Sequence, residues 1–127
     1  MDLDTKTMGP RDLSFVLSEV GPISRDTVTI LSGSGVLKPG AVLGKVTASG
    51  KFKPVTAAAE DPATGADLAV AVLAYGVDAT AADAKAVVVA RLAEVKTSML
   101  VWGADFDNDA KKKAAIAELA AANIIAR

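Results

Sequence analysis

Apolar positions along the chain come in short runs closed by turn-forming residues. Val28-Thr29-Ile30, Val42-Leu43 and Lys45-Val46-Thr47 alternate with Ser32-Gly33-Ser34-Gly35, Pro39-Gly40 and Ser49-Gly50. Each run is too short for a helix, and each is bounded by residues that tolerate positive φ or preset φ. The pattern predicts a compact β module over 28–51. In it, Pro39-Gly40 forms a type II turn, and Ser49-Gly50 closes a hairpin between Val46-Thr47-Ala48 and Lys51-Phe52-Lys53. Leu68 to Tyr75 is a continuous apolar run of strand length, the signature of a strand buried on both faces, and Ala86 to Arg91 is a second. Residues 57–66, rich in small and turn-forming types, read as a surface loop. Asp78-Ala-Thr80-Ala-Ala-Asp83 resembles a capping box and predicts one helical turn.

Helical periodicity is convincing in one place, about 109–122. There Ala115, Ile116, Leu119 and Ala120 make an apolar stripe, and Asp107, Asn108 or Asp109 supplies the cap. Lys111, Lys112 and Lys113 in the first turn oppose the helix dipole by a few tenths of a kcal/mol each, which the Ala-rich body outweighs. Asn123 suits the left-handed closing conformation, and Ile124-Ile125-Ala126 returns as a short strand. The predicted class is mainly β with one C-terminal α-helix.

Residues 1–24 differ in composition from the rest of the chain. Gly9-Pro10 and Gly21-Pro22 punctuate them, charges are scattered through them, and Leu13, Phe15 and Leu17 alternate as in a strand with one apolar face. A lone strand needs a sheet edge. The edge belongs either to this domain or to a partner, and the pattern leaves both open. The expected organisation is an extended arm, 1–24, followed by a β-rich domain, 25–127.

Composition narrows the function classes. With 127 residues the chain fits one domain and a modest core. Hydrophobic residues reach 51% but aromatics only 4%, so Val, Leu and Ile must build that core. The formal charge of −1 comes without a basic block, so the positive footprint of a nucleic-acid binder is missing. No run approaches the roughly 18 apolar residues of a membrane span, and the N-terminus carries no secretion signal. The sequence has neither Cys nor His, which rules out disulfides and thiolate metal sites and leaves acid–base work to carboxylates, Lys or Tyr75. Asp61, Asp78, Asp83, Asp105, Asp107 and Asp109 lack calcium-loop spacing. The Gly33–Gly40 stretch fails as a phosphate loop because Pro39 follows Lys38. The expectation is therefore no enzyme, no cofactor and no metal. Trp102, the single Trp, is expected to anchor the core or a subunit interface.

One stretch carries a family likeness. ILSGSGVLKPGAVLGKVTASGKFKP (30–54) resembles the signature of the phage head decoration proteins. The resemblance continues through Val77–Arg91, Glu94-Val95, Met99-Leu100-Val101-Trp102, Lys113–Leu119 and Ile124–Arg127. At Gly103 relatives often have Pro, which relaxes that corner. The resemblance implies a small β-clip-like domain that acts as a capsid-stabilising, or cement, protein. Homotrimers would sit at three-fold sites on the outside of the expanded phage capsid, bridge the major capsid protein and oppose internal DNA pressure. It further implies that the N-terminal arm binds the capsid by adding a strand, through Leu13, Ser14, Phe15, Val16 and Leu17. Assembly would take place in the host cytoplasm and the destination would be the virion exterior, with no direct contact to nucleic acid or membrane. The competing reading is a lipoyl-like or sugar-binding β module. Leu37–Lys45 superficially resembles the turns of such domains, and Lys51 is the nearest attachment lysine, without the flanking context a carrier needs.

Overall fold

The computed structural model of the chain describes Leu3, residues 11–60 and residues 62–127. In chain order the strands are β1 (Val16–Glu19), β2 (Arg25–Ile30), β3 (Gly35–Leu37), β4 (Val42–Lys45), β5 (Phe52–Pro54) and β6 (Ala69–Leu73). After them come β7 (Val77–Ala79), β8 (Ala84–Val89), β9 (Ala93–Val95) and β10 (Ile124–Ala126). A 3-10 turn, Gly21–Ser24, links β1 to β2, and another, Thr97–Met99, comes after β9. The helix α1 spans Asp109–Ala121.

Five strands close into a barrel in the order β2-β5-β4-β6-β8. β2 and β8 pair antiparallel along their full length, from Arg25↔Val89 to Ile30↔Ala84. The seam between β2 and β5 is the thinnest: one parallel pair, Ile30↔Phe52, extended by the Leu31 N–H donating to the Phe52 carbonyl. β4 and β5 form a hairpin around Ser49-Gly50, with Val46 N–H donating to Lys51 O and Gly50 N–H to Val46 O across its tip. Its first strand is Val42–Lys45, and Thr47-Ala48, expected in the strand, belong to the turn. Pro39-Gly40 turns as its sequence predicts: Ala41 N–H reaches Lys38 O at 3.1 Å and Gly40 has φ +90°.

The continuous apolar runs are explained by two cores on opposite faces of the same strands. Successive side chains of a strand point to opposite sides. Leu43, Ala71, Leu73 and Val88 join Ile30 in one cluster drawn from the barrel strands. Their neighbours Val42, Val72 and Val89 belong to a second cluster with Phe15, Val95, Leu100, Phe106, Ala115, Leu119 and Ile124. That second cluster lies between the barrel's outer face and the elements that cover it. Among these is a three-stranded sheet ordered β1-β9-β10, with β1 antiparallel and β10 parallel to β9. The other is α1, whose Ala115 and Leu119 are buried while Ile116 is half-buried and Ala120 exposed, a narrower stripe than predicted.

Asn108 caps α1, its side chain accepting from Lys111 N–H at 3.0 Å. The Glu118 carboxylate ties the helix to the barrel by accepting from Ala69 N–H at 2.5 Å. Asn123 closes the helix at φ 62°. Gly44 is required where it stands, since a Cβ there would collide with the Ala66 carbonyl oxygen.

One local expectation is corrected. No helical turn forms at 80–83: Asp78 Oδ1 accepts from both Thr80 N–H (3.0 Å) and Thr80 Oγ1 (2.6 Å), an Asx-type turn that satisfies the backbone without a helix. Val77-Asp78-Ala79, just before the expected cap Thr80, is a strand that pairs antiparallel with β3.

Candidate functional site

From Arg11 onward the N-terminal segment is built into the domain. Ser14 N–H donates to Arg11 O and Val16 N–H to Leu13 O, two successive turns that aim Phe15 inward. Phe15 is 1% exposed and belongs to the second core cluster, with Leu13 and Val16 packed against it. The Phe15 carbonyl accepts from Lys96 N–H at 2.7 Å. β1 then pairs with β9 through Val16↔Val95, Ser18↔Glu94 and Glu19↔Ala93, with a bulge between Val16 and Ser18. Of the two edges that the sequence left open for this strand, the structure uses the domain's own. Four of the five residues expected to bind the capsid, Leu13, Ser14, Phe15 and Val16, are half or fully buried in this chain, while Leu17 is 47% exposed. Residues 1, 2 and 4–10 of the expected arm lie outside the described residues.

Polar side chains fasten this segment at its far end. Ser24, fully buried, accepts through Oγ from Val20 N–H (2.8 Å) and donates to Leu92 O (3.0 Å). Arg25 grips Glu19 with two hydrogen bonds of 2.7 and 2.6 Å and also reaches the Tyr75 hydroxyl. The paired guanidinium holds the Glu19 carboxyl below its ordinary range despite partial burial, and Glu19 in turn raises Arg25. Arg91 donates to the Ile23 carbonyl at 2.7 Å and pairs with Asp26, which it likewise holds low. Neither Ser24 nor these ion pairs stood out in the sequence, because their partners lie as far as 68 residues away along the chain.

Among the described residues the order β1-β9-β10 leaves the outer edge of β1 unpaired. Leu17, Val20 and Ile23, in and just after β1, are exposed, as is Leu92, which adopts φ 50°. Trp102 sits elsewhere on the second cluster, half-buried, its ring 4.9 Å from that of buried Phe106. Phe15 and Trp102 are thus two aromatic contributors to one cluster.

Among the described residues no group of three His, Cys, Asp or Glu is placed to hold a metal, and no buried side-chain polar atom lacks a partner. No described helix is long and apolar enough to cross a membrane. Lys51, the one lysine weighed as a carrier attachment point, has its ammonium 2.5 Å from the Asp83 carboxylate, which itself accepts from Ser32 N–H.

The sequence model of the family described as bacteriophage lambda head decoration protein D matches residues 5–124. The chain belongs to that family. No curated protein matches it significantly. The match runs from the N-terminal segment through the barrel and α1 and ends at Ile124, the first residue of β10. A head decoration protein is a structural component of the phage capsid, and its place is with the shell.

Proposed function

We propose that this head decoration protein acts as a trimeric cement protein on the outside of the expanded capsid. Trimers at three-fold sites bridge neighbouring copies of the major capsid protein and stabilise the shell against the pressure of packaged DNA. The mechanism is linkage: a protein that binds only the expanded shell favours that state by mass action, and a trimer multiplies individually weak contacts. Residues 1–24 are the capsid-facing segment in this reading. The observation that carries it is the open outer edge of β1, at the point where the N-terminal residues join the domain. Unpaired strand edges recruit further strands, with backbone hydrogen bonds giving affinity and alternate side chains giving register. Of the Leu13–Leu17 stretch, Leu17 is the side chain free to meet a partner without unpacking the core. Phe15 holds the stretch in place.

Co-sedimentation with expanded capsids of the cognate phage tests the reading. The wild-type chain should pellet at saturating stoichiometry, and Leu17→Asp should weaken pelleting while leaving the thermal transition of the free protein in place. A wild-type chain that stays in the supernatant would refute the cement function. Wild-type and Leu17→Asp chains that pellet alike would remove β1 from the contact.

A further inference from the structure

A cleft of about 480 Å³ opens beside the Arg11–Phe15 turns. Its interior is apolar, made by Phe15, Pro39, Met99 and Val101, and its charges and the exposed Ser98 stand on the rim. The walls are fixed by backbone bonds. Val101 N–H donates to Gly40 O at 2.9 Å, Val42 N–H to Val101 O at 3.2 Å, and Lys96 N–H to Phe15 O at 2.7 Å. Gly40 packs so tightly that a Cβ would come within 2.6 Å of the Met99 carbonyl oxygen. The cleft is therefore formed before anything enters it, and binding does not bear the cost of ordering its walls.

Its chemistry is that of a peptide groove. Among the described residues no polar side chain lies in the interior to orient a small metabolite, whereas the Met99 thioether and the aliphatic surfaces of Pro39 and Val101, over buried Phe15, accommodate side chains of varied shape. On the rim, Arg11 and Lys38 are exposed, and neither forms an ion pair among the described residues. Asp12 is the one rim acid. The surplus positive charge favours a carboxylate beside whatever apolar group goes in. The cleft also adjoins the N-terminal segment, so it continues the capsid-facing surface.

We propose that this cleft is a second capsid contact. It receives an extended segment of the shell protein that places an apolar side chain among Phe15, Pro39, Met99 and Val101 and a carboxylate against Lys38 and Arg11. The proposal rests on the cement reading and names the chemistry of the partner that reading requires.

Met99 oxidation by dilute peroxide, followed by peptide mass spectrometry, reads the cleft in the full-length protein, free and bound to expanded capsids. Met99 should oxidise readily in the free protein and several-fold more slowly on capsids. Lys38→Glu should weaken capsid binding about fivefold, the scale of one charge pair, without moving the thermal transition of the free protein. Equal oxidation in both states, with wild-type protein bound, overturns the cleft contact and leaves the cement function standing. Equal protection in both states overturns it too, because the cleft would then be filled within the decoration protein itself. If wild-type protein fails to bind capsids, the cement reading falls first and the cleft contact with it.

Discussion

The barrel and the flanking sheet solve the same problem, satisfying strand backbones, in opposite ways. In the barrel each strand has neighbours on both sides, and β4 and β6 are buried almost throughout. In the flanking sheet only β9 is central. Among the described residues β1 and β10 have one neighbour each, and the two middle residues of β1 are exposed. Closure makes the barrel's stability a property of packing. The sheet shares the second core through Ala93, Val95 and Ile124, and its β1 end is fastened in addition by the buried Phe15 ring, the Ser24 hydroxyl and ion pairs at the β1–β2 corner. The open edges therefore sit on the part of the molecule fastened by individual side chains, and the sealed part carries the load.

Phe15→Ala is the severest test of that contrast. If β1 is anchored through the shared core, the loss should be about 4 kcal/mol in chemical denaturation, as for other buried Phe truncations. A cost below about 1 kcal/mol would show that β1 is a loosely attached arm after all. The matching lesion in the barrel is Gly44→Ala, which drives a Cβ into the Ala66 carbonyl. A loss of about 3 kcal/mol and a shifted 66–69 backbone are expected, because neither chain can yield without breaking the β4–β6 ladder.

Ser24→Ala should cost about 2 kcal/mol by stranding the Val20 N–H and the Leu92 carbonyl. Its mark should be local: faster amide exchange across β1 with the barrel amides unchanged. Glu19→Gln should cost about 1 kcal/mol at pH 7, the scale of a two-pronged, partly screened ion pair. The sign comes from the depressed Glu19 pKa. The pairing contributes fully above the ordinary Glu value near 4.3 and is lost as pH falls through the lower folded value. Urea titrations at pH 7 and pH 3 should find the difference between wild type and Glu19→Gln shrinking in acid. The smallest effect is a gain. Leu92→Gly relieves a left-handed leucine and should raise stability by about 0.5 kcal/mol, after the added freedom of glycine in the unfolded chain is subtracted.

What the sequence disclosed obeys the same division. β6 was legible because it is buried on two faces and so reads as an unbroken apolar run, and the Ala86–Val89 half of β8 was legible for the same reason. α1 was legible from its cap and stripe. β3, β7 and β9 are three residues each, too short for any period to register, and their pairing is set by tertiary contact. Strand order was not legible at all. Nothing in Arg25-Asp26-Thr27 names Val87-Val88-Val89 as its neighbour. At the candidate surface the alternation of Leu13, Phe15 and Leu17 pointed to a strand with one apolar face, but the strand is Val16–Glu19: Leu13 and Phe15 lie in the turns before it, and Phe15 is buried while Leu17 is exposed. That Phe15 packs into this domain's own core was not legible, because most of the residues of its cluster lie far along the chain. The cleft beside Arg11 gave no signal, because its lining comes from three separated stretches.

The position of β9 has a consequence for the order in which the molecule is made. One of its neighbours, β1, leaves the ribosome well before it. The other, β10, emerges only after the whole of α1. All the barrel strands, β2 to β8, lie between, so the barrel has every segment it needs before β9 exists. β9 must then wait, with one side of its backbone open, until the helix has formed and swung the chain back alongside it. Long-range pairings of this kind are slow because the intervening chain must be closed first. The β9–β10 pairing is thus the last of the flanking sheet to form during synthesis, whereas β1 can pair with β9 as soon as β9 has emerged.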